Sequence, residues 1–154
     1  MEIVCIFHNI RSAHNVGAMF RTAECAGVKK VFLTGYTPAP TNRFGFPQKE
    51  IAKSALGAEH SVPWESVKTI RALLSRLHRE GYVVVALEQD DASVHYKKVR
   101  SKKVALIVGN EVTGIEKSVL RTADVIAEIP LKGKKESLNV STAFGIALFS
   151  IAKI

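Results

Sequence analysis

Glu111 stands where a short, almost wholly apolar run, Val104-Ala-Leu-Ile-Val-Gly-Asn-Glu-Val-Thr-Gly114, stops at Gly109 and Asn110. A carboxylate just past such a run can meet a polar ligand group, and a glycine beside it lets a ligand approach the backbone. The other reading is that Gly109 and Gly114 only shape a strand-to-helix turn, with Glu111 solvated. Asn15 and Arg21 form a second candidate pair, separated by roughly 9 Å along a helix axis at about 1.5 Å per residue. Either they line one cleft, or Asn15 caps the helix and Arg21 is a surface cation.

The elements that must position these residues follow from periodicity. Val104 to Val108 reads as a strand buried on both faces, as in a parallel sheet covered by helices. Ile3 to Phe7 is a first strand. Asn15 opens a helix whose apolar positions Val16, Met19, Phe20, Ala23 and Ala26 repeat at helical spacing, and Gly27 closes it. Val31 to Thr34 is a second strand. Gly35 to Lys49 is a long loop with three prolines and two glycines, and its Arg43, Phe44, Phe46 and Lys49 either stack bases and meet phosphates or pin the loop to the body. A short helix over Ile51 to Leu56 and an amphipathic helix over Glu65 to Glu80 precede a strand at Val83 to Leu87. Asp90 to Lys103 is a polar connection that gathers Lys97, Lys98, Arg100, Lys102 and Lys103, a phosphate-facing patch or a solvated run. A helix over Glu116 to Thr122 and a strand over Val125 to Ile129 follow. The last element, Leu138 to Ala152, is apolar on nearly every side, so its cover is either the protein interior or a second copy of the chain, and a homodimer is expected. Strands alternate with helices from end to end, which is the α/β class with a mainly parallel sheet and helices on both faces.

Composition bounds the partners. At 154 residues and 47% hydrophobic, the chain can bury the core of one domain, residues 1–154. Cys5 and Cys25 belong to no CxxC or Cys/His cluster, so both read as reduced core residues and no metal site is expected. The opening Glu2-Ile-Val-Cys-Ile-Phe7 is strand-like rather than a secretion signal, and no apolar run is long enough for a membrane, so a cytoplasmic location is expected. A net charge of +8, from 22 Lys+Arg against 14 Asp+Glu, points to a polyanionic partner, nucleic acid first.

Three separated stretches then resemble, in order and spacing, the three motifs of the SpoU/TrmH branch of the SPOUT RNA methyltransferases. They are Asn15-Val-Gly-Ala-Met-Phe-Arg21, Ile107-Val-Gly-Asn-Glu-Val-Thr-Gly114 and Ile129-Pro-Leu-Lys-Gly-Lys-Lys-Glu-Ser-Leu-Asn-Val-Ser141. The resemblance implies S-adenosylmethionine as methyl donor, S-adenosylhomocysteine as product, and a ribose 2′-hydroxyl of tRNA or rRNA as acceptor. It also implies a C-terminal trefoil knot and a homodimer with active sites at the subunit interface. Pattern reasoning alone does not give the knot, because chains seldom thread their own loops. By the same resemblance Leu87, Gly109, Asn110, Ile129, Leu131 and Leu138 surround the cofactor, and Asn15, Arg21, Glu111, Ser137 and Asn139 occupy the polar catalytic positions. No additional RNA-binding domain is visible in the sequence, so recognition is expected to use the basic loops around Arg43, Lys97 to Lys103 and Lys132 to Lys135. Two other classes compete. One is a non-catalytic RNA-binding dimer of the same fold. The other is a dinucleotide-binding α/β protein, which His8-Asn-Ile-Arg-Ser-Ala13 after the first strand does not suit because it lacks GxGxxG.

Overall fold

The computed structural model describes residues 1–154. The elements in order are β1 (Glu2–His8), α1 (Ala13–Cys25), β2 (Lys30–Thr34), α2 (Lys49–Ala55), α3 (Ala58–Ser61), β3 (Trp64–Val67), α4 (Ile70–Arg79), β4 (Val83–Leu87), β5 (Val94–His95), a 3-10 turn (Tyr96–Lys98), β6 (Lys103–Val108), α5 (Lys117–Leu120), β7 (Val125–Glu128) and α6 (Val140–Ala152).

All seven strands pair in parallel, in the order β3-β2-β1-β6-β4-β7-β5. The apolar run that ends at Gly109 is therefore the central strand, β6. It is flanked by β1, with Ile6 opposite Ile107, and by β4, with Val85 opposite Leu106. Successive strands β1, β2 and β3 progress to one side of β6 and the later ones to the other. The order thus reverses between β1 and β6, the kind of switch point at whose carboxyl-end side parallel sheets bind ligands.

Alternate residues of the buried strands feed two cores. Cys5, Phe7, Leu106 and Val108 pack with α1, α2 and α6 on one face, where the Phe7 ring meets Phe20 and Phe144 edge-on at centroid distances of 5.8 and 5.3 Å. Val4, Ile6, Ala105 and Ile107 pack on the other face with Leu73, Leu74 and Leu77 of α4 and Val119 and Leu120 of α5. The α/β class with helices on both faces is the architecture expected from the sequence.

Several local expectations are corrected. The helix expected over Glu65 to Glu80 is two elements: Trp64–Val67 is a half-exposed edge strand beside β2, and α4 begins only at Ile70. The polar connection before β6 contains β5 and the 3-10 turn. Helix α1 starts earlier than Asn15, because the Ser12 hydroxyl caps it by accepting from the Asn15 N–H. Cys5 is buried as expected, with burial pushing its thiol far above the usual range, whereas Cys25 is exposed at the outer end of α1. Helix α6 buries only Phe144, Ala147, Leu148 and Ile151 within the single chain and leaves Ile146 38% exposed.

Candidate active site

The carboxyl ends of β4, β6 and β7 carry the loops that enclose the main cavity, of about 580 Å³. Each of the six residues expected around a cofactor lines it: Leu87 from β4, Gly109 and Asn110 from the loop after β6, and Ile129, Leu131 and Leu138 from the loop after β7. Ser137 and Glu111 also line it, whereas Asn15, Asn139 and Arg21 do not.

The loop after β6 is held by its own side chains. Asn110 Oδ1 accepts from Val112 N–H and Thr113 N–H at 2.8 Å each, while its amide donates to the Asn9 carbonyl at 3.0 Å and to the Tyr36 hydroxyl at 2.9 Å. All four hydrogen-bonding positions of that side chain are thus committed, so it shapes the loop and has none to offer a ligand. Gly109 is needed for a similar reason. A β-carbon there would stand 2.6 Å from Ile115 Cγ1 and 2.7 Å from the Gly114 carbonyl carbon, so the loop's own closure excludes a side chain. Gly114 adopts φ +68° and lies against the Glu88 carboxylate, which accepts the Ile115 N–H at 3.0 Å.

Glu111 joins the loop after β6 to the β1–α1 turn. One oxygen accepts the Arg11 N–H at 3.0 Å; the other accepts the Ser12 N–H at 3.0 Å and the Asn15 amide at 3.1 Å. Partial burial raises its carboxyl pKa, but these donors together outweigh burial and hold it below the ordinary value of 4.5. Asn15 in turn accepts at 3.2 Å from the amide of Asn139, which caps α6 by accepting from Ser141 N–H and Thr142 N–H. Glu111, Asn15 and Asn139, 96 and 124 residues apart in sequence from one to the next, therefore form one polar chain linking the loop after β6, α1 and α6.

Arg21 stands apart. It lies on the exposed face of α1, outside the cavity, and makes no side-chain hydrogen bond or ion pair. The basic loops also divide. Lys132, Lys134 and Lys135 are exposed between the cavity residues Leu131 and Glu136. Lys103 instead pairs in register with Glu2 at the amino end of the sheet, and Arg100 folds back on the carbonyls of Lys97 and Val99. Arg43 lies over the ring of Phe44, and Phe44 and Phe46 are both exposed, so the two phenylalanines do not pin their loop to the body.

Sequence reasoning missed a cluster beside this site. His8, 4% exposed, bonds through Nδ1 to the Thr34 hydroxyl at 2.8 Å and through Nε2 to Glu116 at 2.9 Å, and Asn9 donates to the same carboxylate at 3.1 Å. With the Nε2 proton toward the carboxylate, Nδ1 accepts from threonine. It also missed Glu88, Asp90 and Glu128, which give the cavity an acidic wall. The available signal was position: a polar residue that ends or directly follows an apolar strand, as His8 and Glu88 do, sits at the ligand edge of a parallel sheet.

The profile of the SpoU rRNA methylase family matches residues 2–149. The chain belongs to this family. Among its relatives, a 23S rRNA (guanosine-2′-O-)-methyltransferase of Ralstonia nicotianae is 30% identical over 151 residues, which are 98% of this chain and 58% of that protein. The SpoU-family chain thus spans well under two thirds of that relative's length. In structure it is similar to an AdoMet-bound rRNA methyltransferase from Sinorhizobium meliloti, with a TM-score of 0.86 and 31% identity over 99% of this chain and 56% of that one. It is also similar to a TrmH/SpoU tRNA modifying enzyme of A. aeolicus, with a TM-score of 0.86 and 26% identity over 99% of this chain and 74% of that one. No group of three or more His, Cys, Asp or Glu is assembled to hold a metal ion, and no helix is long and apolar enough to cross a membrane.

Proposed function

We propose that this SpoU-family chain transfers a methyl group from S-adenosylmethionine to a ribose 2′-hydroxyl of ribosomal or transfer RNA, in the cytoplasm and as a homodimer. The observation that carries the reading is the strand-end cavity, whose apolar and acidic walls suit this cofactor. Leu87, Ile129, Leu131 and Leu138 offer an apolar surface for adenine and a thioether, and the carboxylates along the wall complement the cationic sulfonium and ammonium groups. When bound, S-adenosylmethionine supplies an electrophilic methyl on sulfur, so the protein has mainly to align the acceptor oxygen and favour its developing charge.

The residues divide that work. Glu111 is held ionised by three donors, two of them backbone N–H groups, which makes it an anchor for Asn15 rather than a proton acceptor. Asn15 and Asn139 each keep one amide hydrogen uncommitted, and these are the donors available to a ribose oxygen. Ser137 lines the cavity and adds a further hydroxyl. Arg21 is assigned to the acceptor side. Guanidinium stays protonated in proteins, so it acts either by stabilising the alkoxide or by a transient deprotonation assisted by an RNA phosphate. Because Arg21 lies outside the cavity of its own chain, a second copy packed on the α1–α6 face is the arrangement that would bring it to a site. The C-terminal knot implied by the family motifs belongs to the same reading.

The test is incubation with radiolabelled methyl donor and unmodified total tRNA or rRNA, with Arg21→Ala alongside and nucleoside digestion of the product. Label on a ribose 2′-oxygen that falls by about a hundredfold or more in Arg21→Ala is expected. Absence of both methyl transfer and cofactor binding would replace this reading with the non-catalytic RNA-binding one.

A further inference from the structure

On the sheet face opposite α1 and α6, helices α4 and α5 border a second cleft of about 540 Å³. Arg71, Ser75 and His78 line it from α4, with Ser118, Arg121 and Thr122 from α5 and its end, and Leu74 is its one apolar residue. No carboxylate lines it. Arg71 and Arg121 are exposed and make no ion pair or side-chain hydrogen bond, whereas the neighbouring Arg76 is tied to Glu65 at 3.1 Å. His78 is oriented by Asp124, outside the cleft, at 2.9 Å. The hydroxyls of Ser75 and Ser118 are likewise uncommitted, whereas Thr122 spends its proton on the Val119 carbonyl.

We propose that this cleft binds a phosphodiester segment of the RNA substrate, a reading that rests on the RNA-directed function above. Two free guanidiniums with two free hydroxyl donors and no competing acid are the chemistry of a phosphate site. A strand of nucleic acid fits the position better than a lone phosphate does. The short helix α5 is a wall shared by both cavities: Lys117 and Leu120 face the strand-end cavity, and Ser118 and Arg121 face the cleft. A chain whose target ribose sits at the acidic strand-end cavity, which repels phosphate, can continue over α5 and lay its backbone on these arginines.

The experiment measures binding of an unmodified tRNA transcript between about 50 and 200 mM salt for the wild type, an Arg71→Ala/Arg121→Ala double variant and the matching lysine pair. The alanine pair is expected to bind about tenfold more weakly at ~0.1 M salt, with a log–log salt slope shallower by about 1.5, from roughly 0.7–0.9 per lost phosphate contact. S-adenosylmethionine affinity should not change, and the lysine pair should recover most of the slope. An unchanged slope and affinity in the alanine pair, with a wild type that binds and methylates RNA, would overturn this site alone. A wild type that binds no RNA would overturn it together with the RNA reading. Saturation of the Arg71 and Arg121 side-chain NMR signals by inorganic phosphate below about 1 mM, unaffected by added RNA, would make it a free-phosphate site instead and also defeat the proposal.

Discussion

Glu111 is the residue on which the polar chain of the site depends. Replacing it with alanine would leave the Arg11 and Ser12 N–H groups and the Asn15 amide without their acceptor. The expected cost is about 2–3 kcal/mol, or a fall in melting temperature of roughly 4–12 °C, read by calorimetry. Its ionisation also sets a sign for acid stability. The folded carboxyl lies below the ordinary value of 4.5, so its contribution is complete above that value and is lost as pH falls through the depressed folded value. A melting profile from about pH 6 to about pH 3 should therefore fall less steeply for Glu111→Gln than for the wild type. A parallel profile would mean that another acid dominates. Arg21→Lys addresses the acceptor side, because it keeps the charge and loses the planar fork. Single-turnover methylation reduced at least tenfold is expected, and near-normal transfer would argue against either guanidinium role.

At the scale of elements, the glycines of the site loops act by different means, and substitution separates them. Gly109→Ala is expected to cost about 1–3 kcal/mol and to weaken cofactor binding, since Ile115 and the Gly114 carbonyl must give way. Gly133→Ala meets nothing within 4 Å and should be neutral in both thermal unfolding and calorimetric titration. The buried strands were legible in the sequence because both their faces are covered, which leaves an unbroken apolar signature at Val104–Val108 and Val83–Leu87. The edges were not. Trp64–Val67 is half-exposed, so its pattern blended into the helical spacing of Ile70, Leu73, Leu74 and Leu77, and β5 is two residues long. The start of α1 was misplaced because Asn15 read as its N-cap, whereas Asn15 is buried within the helix, bonded to Glu111 and Asn139. Likewise, the candidate cofactor residues came from the family resemblance, all but Leu87 lying in its motifs, whereas the His8–Thr34–Glu116 cluster joins the ends of β1 and β2 to the start of α5, which nothing in linear spacing connects.

For the whole molecule, charge and apolar surface are arranged by region. A chain of net charge +8 nevertheless walls its main cavity with acids and places free cations around it, an arrangement suited to a cationic cofactor inside and a polyanion outside. The incompletely buried face of α6 is the proposed seat of a second copy. Ile146→Arg is expected to give the monomer mass in sedimentation with unchanged helix content, whereas a monomeric wild type over a wide concentration range would remove the dimer from the account. The central claim is that the strand-end cavity holds the methyl donor, and a crystal structure with S-adenosylhomocysteine tests it most directly. The account predicts adenine and thioether density in van der Waals contact, within about 4 Å, of Leu87, Ile129, Leu131 and Leu138. Ligand density elsewhere on the molecule, with that cavity holding only solvent, would contradict it.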